Sequence, residues 1–124
     1  MVLQKIALIV QKLYKQTEKG EIVWEKTLDK NVFQTSLPKY SLQISKEERL
    51  DVDYGVPVTF EYYKISFFNS EGNLIEDITG AQLSKELPNA EDILKSMFTT
   101  ARRIALNAEE AFDEIITELE GNEH

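Results

Sequence analysis

From Val2 to Thr17 the apolar positions recur at the spacing of a helix. At about 100° per residue, Val2, Leu3, Ile6, Ala7, Ile9, Val10, Leu13 and Tyr14 fall on one side, and Gln4, Lys5, Gln11, Lys12, Lys15 and Gln16 on the other. Leu8 breaks the pattern, because it sits in the middle of the polar side. Gly20 is placed to end the helix, since glycine takes the left-handed conformation at low cost. The period then shortens. Glu21 to Leu28, with Ile22, Val23 and the only tryptophan, Trp24, reads as a strand. Asp29-Lys30-Asn31 marks a turn, and Val32 to Leu37 a second strand. After Pro38 and Lys39, Tyr40, Leu42 and Ile44 alternate with Ser41, Gln43 and Ser45, the pattern of a half-buried strand. Lys46 to Gly55 is charged and irregular, although Leu50, Val52 and Tyr54 alternate and fit a short strand. Val58 to Asn69 is the strand richest in aromatic residues. Ser70-Glu71-Gly72-Asn73 is a hairpin turn, and Leu74 to Ile78 returns, closed by Thr79-Gly80.

The helical period resumes after Pro88-Asn89, where Asn89 is expected to cap the first turn with Asp92 behind it. Ile93, Leu94, Met97, Phe98, Ala101, Ile104 and Ala105 make one stripe, and Ala108, Ala111, Phe112, Ile115, Ile116 and Leu119 continue it in phase. That unbroken phase predicts one helix from about Ala90 to Glu120, roughly 45 Å long at 1.5 Å per residue. A second solution stays open: Asn89-Ala90-Glu91-Asp92 is echoed by Asn107-Ala108-Glu109-Glu110, and Leu106 lies off the stripe, so Asn107 can end one helix and start another. Short connections between successive strands favour an antiparallel meander. The expected fold is a single α+β domain over residues 1–124: an N-terminal helix, four to five antiparallel strands, and a long C-terminal helix or broken helix pair, with both helical parts on one face of the sheet.

Charge sharpens this picture at one end. Glu109 to His124 holds seven carboxylates and no lysine or arginine, while the other 108 residues carry 14 basic and 15 acidic groups. Nearly all of the net charge of −8 is therefore one local face, and the first helix offers a complement in Lys5, Lys12 and Lys15, with Lys19 just beyond. Acidity disfavours nucleic acid and anionic membranes as partners. The five-residue apolar run from Ile6 to Val10 is too short for a secretory signal, and no stretch approaches the roughly 20 apolar residues of a membrane span. A cytoplasmic location is the resulting expectation. There is no cysteine, so neither disulfides nor thiolate metal sites are available.

The chemistry on offer is thin. The one histidine, His124, is the last residue, so Ser–His and Cys–His nucleophile systems are absent. No Walker or dinucleotide pattern occurs. Neither a cofactor, a metal ligand set nor a catalytic residue is assigned. Asp51 and Asp53, near Glu47 and Glu48, are the only carboxylate cluster in a loop-like segment, but they lack the spacing of a calcium loop. With a neighbouring tyrosine they are the basis of a rival reading as a small carboxylate- or metal-dependent enzyme. Tyr40, Tyr54 and Trp24 are candidates either for a cleft or for the core. The candidate interaction residues are Leu8, Arg102, Arg103, Phe112, Ile116 and Leu119. They point to a non-enzymatic protein-interaction module, a homodimer whose contacts involve Leu8 and the last helix.

Two resemblances bear on this. Lys19-Gly20-Glu21-Ile22-Val23-Trp24-Glu25-Lys26-Thr27 and Ala101-Arg102-Arg103-Ile104-Ala105-Leu106 resemble segments shared by a family of small bacterial proteins of unknown function. That likeness implies a leading helix, a hairpin like Phe68 to Ile78 and a last helix, and brings no activity. Members of that family often have glycine where Asn107 stands. A looser likeness is to acidic secretion chaperones, small dimers with helices on a twisted antiparallel sheet, and it implies a role in holding a partner chain. Those proteins place a helix between their third and fourth strands, where this chain has Lys46 to Gly55.

Overall fold

The amphipathic start forms helix α1, Val2–Glu18. Its end is closed by Gly20 at φ +75°, with the Glu21 N–H donating to the Gln16 carbonyl at 2.9 Å, a left-handed helix stop that suits glycine. The computed structural model describes residues 2–122; Met1, Glu123 and the lone histidine His124 lie outside them. Five strands follow: β1 Glu25–Lys26, β2 Val32–Ser36, β3 Tyr40–Asp53, β4 Val56–Asn69 and β5 Leu74–Thr79. They form one antiparallel sheet in the order β1-β2-β3-β4-β5, as short turns between successive strands require. A short helix α2, Gly80–Leu83, leads into α3, Ala90–Ala105, and α4, Ala108–Gly121.

The strand pattern places Phe33, Leu42, Ile44, Ile65 and Ile78 on one face, where all are buried. Helix α3 lies on that face across β1 to β4 and lends Leu94, Met97, Phe98 and Ala101 to the core. Helix α1 packs beside α3 through Ile6, Ala7, Val10 and Leu13. Phe98 is the centre of the layer between helix and sheet: its ring centroid is 5.4 Å from Phe33 and 5.5 Å from Tyr63. The opposite face carries Gln34, Gln43, Ser66 and Lys64, with Lys64 between Glu47 at 3.4 Å and Asp77 at 3.8 Å. Such partly solvated pairs contribute little stability, so the helix-covered face holds the fold together.

Trp24 belongs to this core and not to a cleft. Its indole N–H donates to the Thr17 hydroxyl at 3.1 Å, and both side chains are buried. Thr17→Val keeps the shape and removes the acceptor. A buried indole N–H without a partner costs about 1–3 kcal/mol, and the urea unfolding midpoint should fall accordingly.

Two expectations are corrected, and one open alternative is decided. The strand foreseen over Glu21 to Leu28 shrinks to Glu25–Lys26; just beyond it a turn begins, in which the Thr27 hydroxyl lies within hydrogen-bond distance of the Asp29 and Val32 carbonyls and the Asp29 carboxylate accepts the Asn31 N–H. Lys46 to Gly55 is no loop: β3 runs to Asp53, with Asp53 opposite Val56 across the two-residue turn Tyr54-Gly55. Both turn residues have positive φ, +50° and +78°, the hairpin geometry that matches strand twist. Pro57 is tolerated because its pair with Val52 lies next to the turn-closing pair, in the slot without ladder hydrogen bonds. Of the two solutions open for the C-terminal part, the broken helix pair is the one found. Leu106 ends α3 and Asn107 takes φ +52°, ψ +54°, a left-handed conformation that asparagine adopts more readily than most residues.

Two smaller features also differ. Asn89 stands at the cap of α3 but is itself left-handed at φ +65°, and its side chain makes no cap hydrogen bond. Helix α2 was missed. It is started by Thr79 and Gln82, which satisfy each other's backbone N–H groups in a capping box. It buries Leu83 and brings Gly80 so close to α3 that a Cβ there would lie 2.9 Å from the Glu91 Cα.

Tyr54 pays for the hairpin geometry, since a tyrosine in the left-handed region costs roughly 1–2 kcal/mol and its side chain is fully in solvent at 99% exposure. Tyr54→Asn relieves that strain without losing packing. The amides flanking the turn should exchange more slowly with solvent deuterium in the variant, by about a factor of 3 to 10.

Candidate functional surface

Two parts of the chain leave the body of the fold. The first is the outer half of the β3–β4 hairpin. β2 pairs with β3 only up to Ser45, and β5 pairs with β4 only from Lys64 onward. Beyond those points the two strands form an arm with Leu50, Val52, Val56 and Phe60 exposed. The arm's charges work locally. Arg49 lies 3.7 Å from Asp51 and over the Phe60 ring, and the Asp51 carboxylate accepts the Val52 N–H. Asp51 and Asp53 are thus surface groups on a strand, not acids converging in a cleft. No cluster of three or more potential metal ligands occurs among the described residues.

The second is α4. All four of its large apolar side chains lie in solvent: Phe112 is 58% exposed, Ile115 48%, Ile116 53% and Leu119 60%. None of its residues is buried, and the element it packs against is α3. The C-terminal pair packs on the sheet through α3, as expected, whereas α4, expected to lie there too, packs against α3 instead. The left-handed Asn107 turns the chain just where the stripe would otherwise continue along α3 over the core. The flanks of the stripe are acidic, with Glu109, Asp113 and Glu120 on one side and Glu118 on the other at helical spacing.

The elbow between α3 and α4 encloses an open groove of about 610 Å³. Ile104, Ala108 and Phe112 make its apolar wall, and Arg103, Glu109 and Glu110 its charged rim. The candidates Arg103 and Phe112 are therefore brought together. Arg102 is directed elsewhere, with its guanidinium 5.8 Å from the Phe98 ring centre, where Lys46 also lies at 5.9 Å. Ile116 and Leu119 extend the same apolar stripe from Phe112, and Leu8 stands apart on α1, 52% exposed. Leu8 is ringed on its own helix face by Lys5, Lys12 and Lys15, at offsets of three, four and seven residues.

The exposed ionic groups of these two helices do not meet within the chain. The four ion pairs among the described residues, Lys46–Glu61, Arg49–Asp51, Lys64–Glu47 and Lys64–Asp77, all belong to the sheet. None of the α1 lysines or α4 carboxylates takes part. Among the described residues no helix is long and apolar enough to cross a membrane.

No protein-family model, curated protein or solved structure matches the chain. The likeness of Lys19–Thr27 and Ala101–Leu106 to small bacterial proteins stands on those residues alone. The fold also keeps its departure from the secretion chaperones: a two-residue turn joins β3 to β4 where those proteins have a helix. The arm was partly legible in the alternation of Leu50, Val52 and Tyr54. The break between α3 and α4 was signalled by Asn107 and by the echo of the cap sequence, whereas the exposure of α4 was not.

Proposed function

We propose that this chain is a protein-interaction module that self-associates, with α4 as its docking helix. The observation that carries the reading is the exposure of all four large apolar side chains of the α4 stripe. A helix of 14 residues is marginal on its own in water, and most helical stability in proteins comes from covering an apolar face. The stripe is about half exposed at each large position. Covering each is therefore worth roughly 0.8–1.5 kcal/mol, half the value of a full burial. Phe112, flanked by the groove, is the natural anchor, because aromatic side chains in pockets carry much of the energy of interfaces. The acidic flanks fit a polar rim around an apolar centre.

Light scattering coupled to size exclusion tests the reading. A mass of twice 14.3 kDa at micromolar concentration and above is the expected result. A chain that stays monomeric up to millimolar concentration would refute self-association.

A further inference from the structure

The structure also offers a counterpart for α4 on a second copy of the chain. Three observations point to it. Helix α4 carries six carboxylates and no basic group beside its apolar stripe. The outward face of α1 carries Lys5, Lys12 and Lys15 around Leu8, with Ile9 at its edge also exposed. Neither set of charges finds a partner in the chain's own ion pairs among the described residues. Glu18, the one acid of α1, is turned toward α3, where its carboxylate accepts a hydrogen bond from the Thr100 hydroxyl at 3.1 Å. The lysine face is thus left positive.

Resting on the self-association reading above, we infer that α4 of one copy lies along the Leu8 face of α1 in the other, and that the contact is reciprocal. Leu8 then enters the stripe formed by Phe112, Ile115, Ile116 and Leu119, and the lysines meet its acidic flanks. The lengths agree: 17 residues in α1 and 14 in α4 span roughly 25 and 21 Å at 1.5 Å per residue. A two-fold arrangement makes both contacts at once, as the interface of a symmetric dimer requires. It also explains why acids are tolerated at the C-terminal end of α4. There the helix dipole opposes them, and lysines from the other copy offset the repulsion.

Charge reversal tests the pairing. One variant carries Asp113→Lys, Glu118→Lys and Glu120→Lys, and a second carries Lys5→Glu, Lys12→Glu and Lys15→Glu. Lysines near the end of α4 suit the helix dipole, so loss of association in the first variant is not loss of the helix. Each variant alone should dimerise about 100-fold more weakly than the wild type, because like charges then face each other. An equimolar mixture should regain affinity to within about tenfold of wild type, because both contacts of the mixed dimer are again complementary. Sedimentation velocity reads all three samples. If the wild type dimerises but either variant alone does so equally well, or if the mixture is not rescued, the α4–α1 pairing is wrong while self-association stands. If the wild type is itself monomeric, the underlying reading fails first.

Discussion

Phe98→Ala is expected to remove about 3–5 kcal/mol of stability, the usual cost of deleting a buried phenylalanine. A domain of this size has only roughly 6–19 kcal/mol in total, so the variant should unfold at a much lower urea concentration or fail to fold at 37 °C. The cost is high at this position because the ring is 2% exposed and packs between α3 and the sheet, against side chains of two strands. It lies on α3, stacks at a tilt against Phe33 of β2 and Tyr63 of β4, and has Lys46 and Arg102 over it. A truncation to alanine opens a cavity and also releases the two cations that roof it. Phe112→Ala, in the same residue type on α4, should cost under about 0.5 kcal/mol in the isolated monomer, as exposed sites do. Equal losses in the two variants would mean that α4 is docked in the monomer.

Ile116→Asp should have the opposite profile, with little effect on monomer unfolding and a large effect on association. The side chain is 53% exposed in the middle of the stripe. In the proposed dimer it is covered by the apolar centre of the facing surface, and a carboxylate there would be desolvated against Leu8 in place of an apolar contact. Substitutions at the centre of an interface commonly cost about 2–4 kcal/mol, or roughly 30- to 1000-fold in Kd. Sedimentation at a series of concentrations measures this shift, and a dimer that survives unchanged would remove Ile116 from the interface.

The architecture was legible where one period dominated. The stripes of α1 and α3, the alternation from Tyr40 to Ser45 and the Asn-Gly-rich turn at Ser70 to Asn73 each had one solution, and the sheet order followed from short connections. Legibility failed where two local rules competed. Lys46 to Gly55 combines strand alternation with a density of charge that suits a loop, and the charges proved compatible with a solvated two-stranded arm. Ala90 to Glu120 combines a continuous apolar phase with an asparagine able to turn left-handed. Phase describes only which side of a helix is apolar, and it does not say whether that side finds a surface. The backbone at Asn107 decided it and left the second half of the stripe in water. Of the candidate interaction residues, Phe112, Ile116 and Leu119 were identified from that stripe and do share one exposed face. Arg103 joins them at the elbow, while Arg102 packs over Phe98. Leu8 was identified because it broke a pattern, and it is exposed among lysines.

The most direct measurement of the role of α4 is hydrogen–deuterium exchange of the amides from Glu110 to Leu119 as a function of protein concentration. A short solvated helix protects its amides weakly, and a helix held in an interface protects them strongly. Protection in this segment should therefore rise as the concentration is increased through the dimerisation range, while the amides of α3 stay slow throughout. Protection of the segment that is the same at every concentration, whether strong or weak, would contradict a docking role for α4.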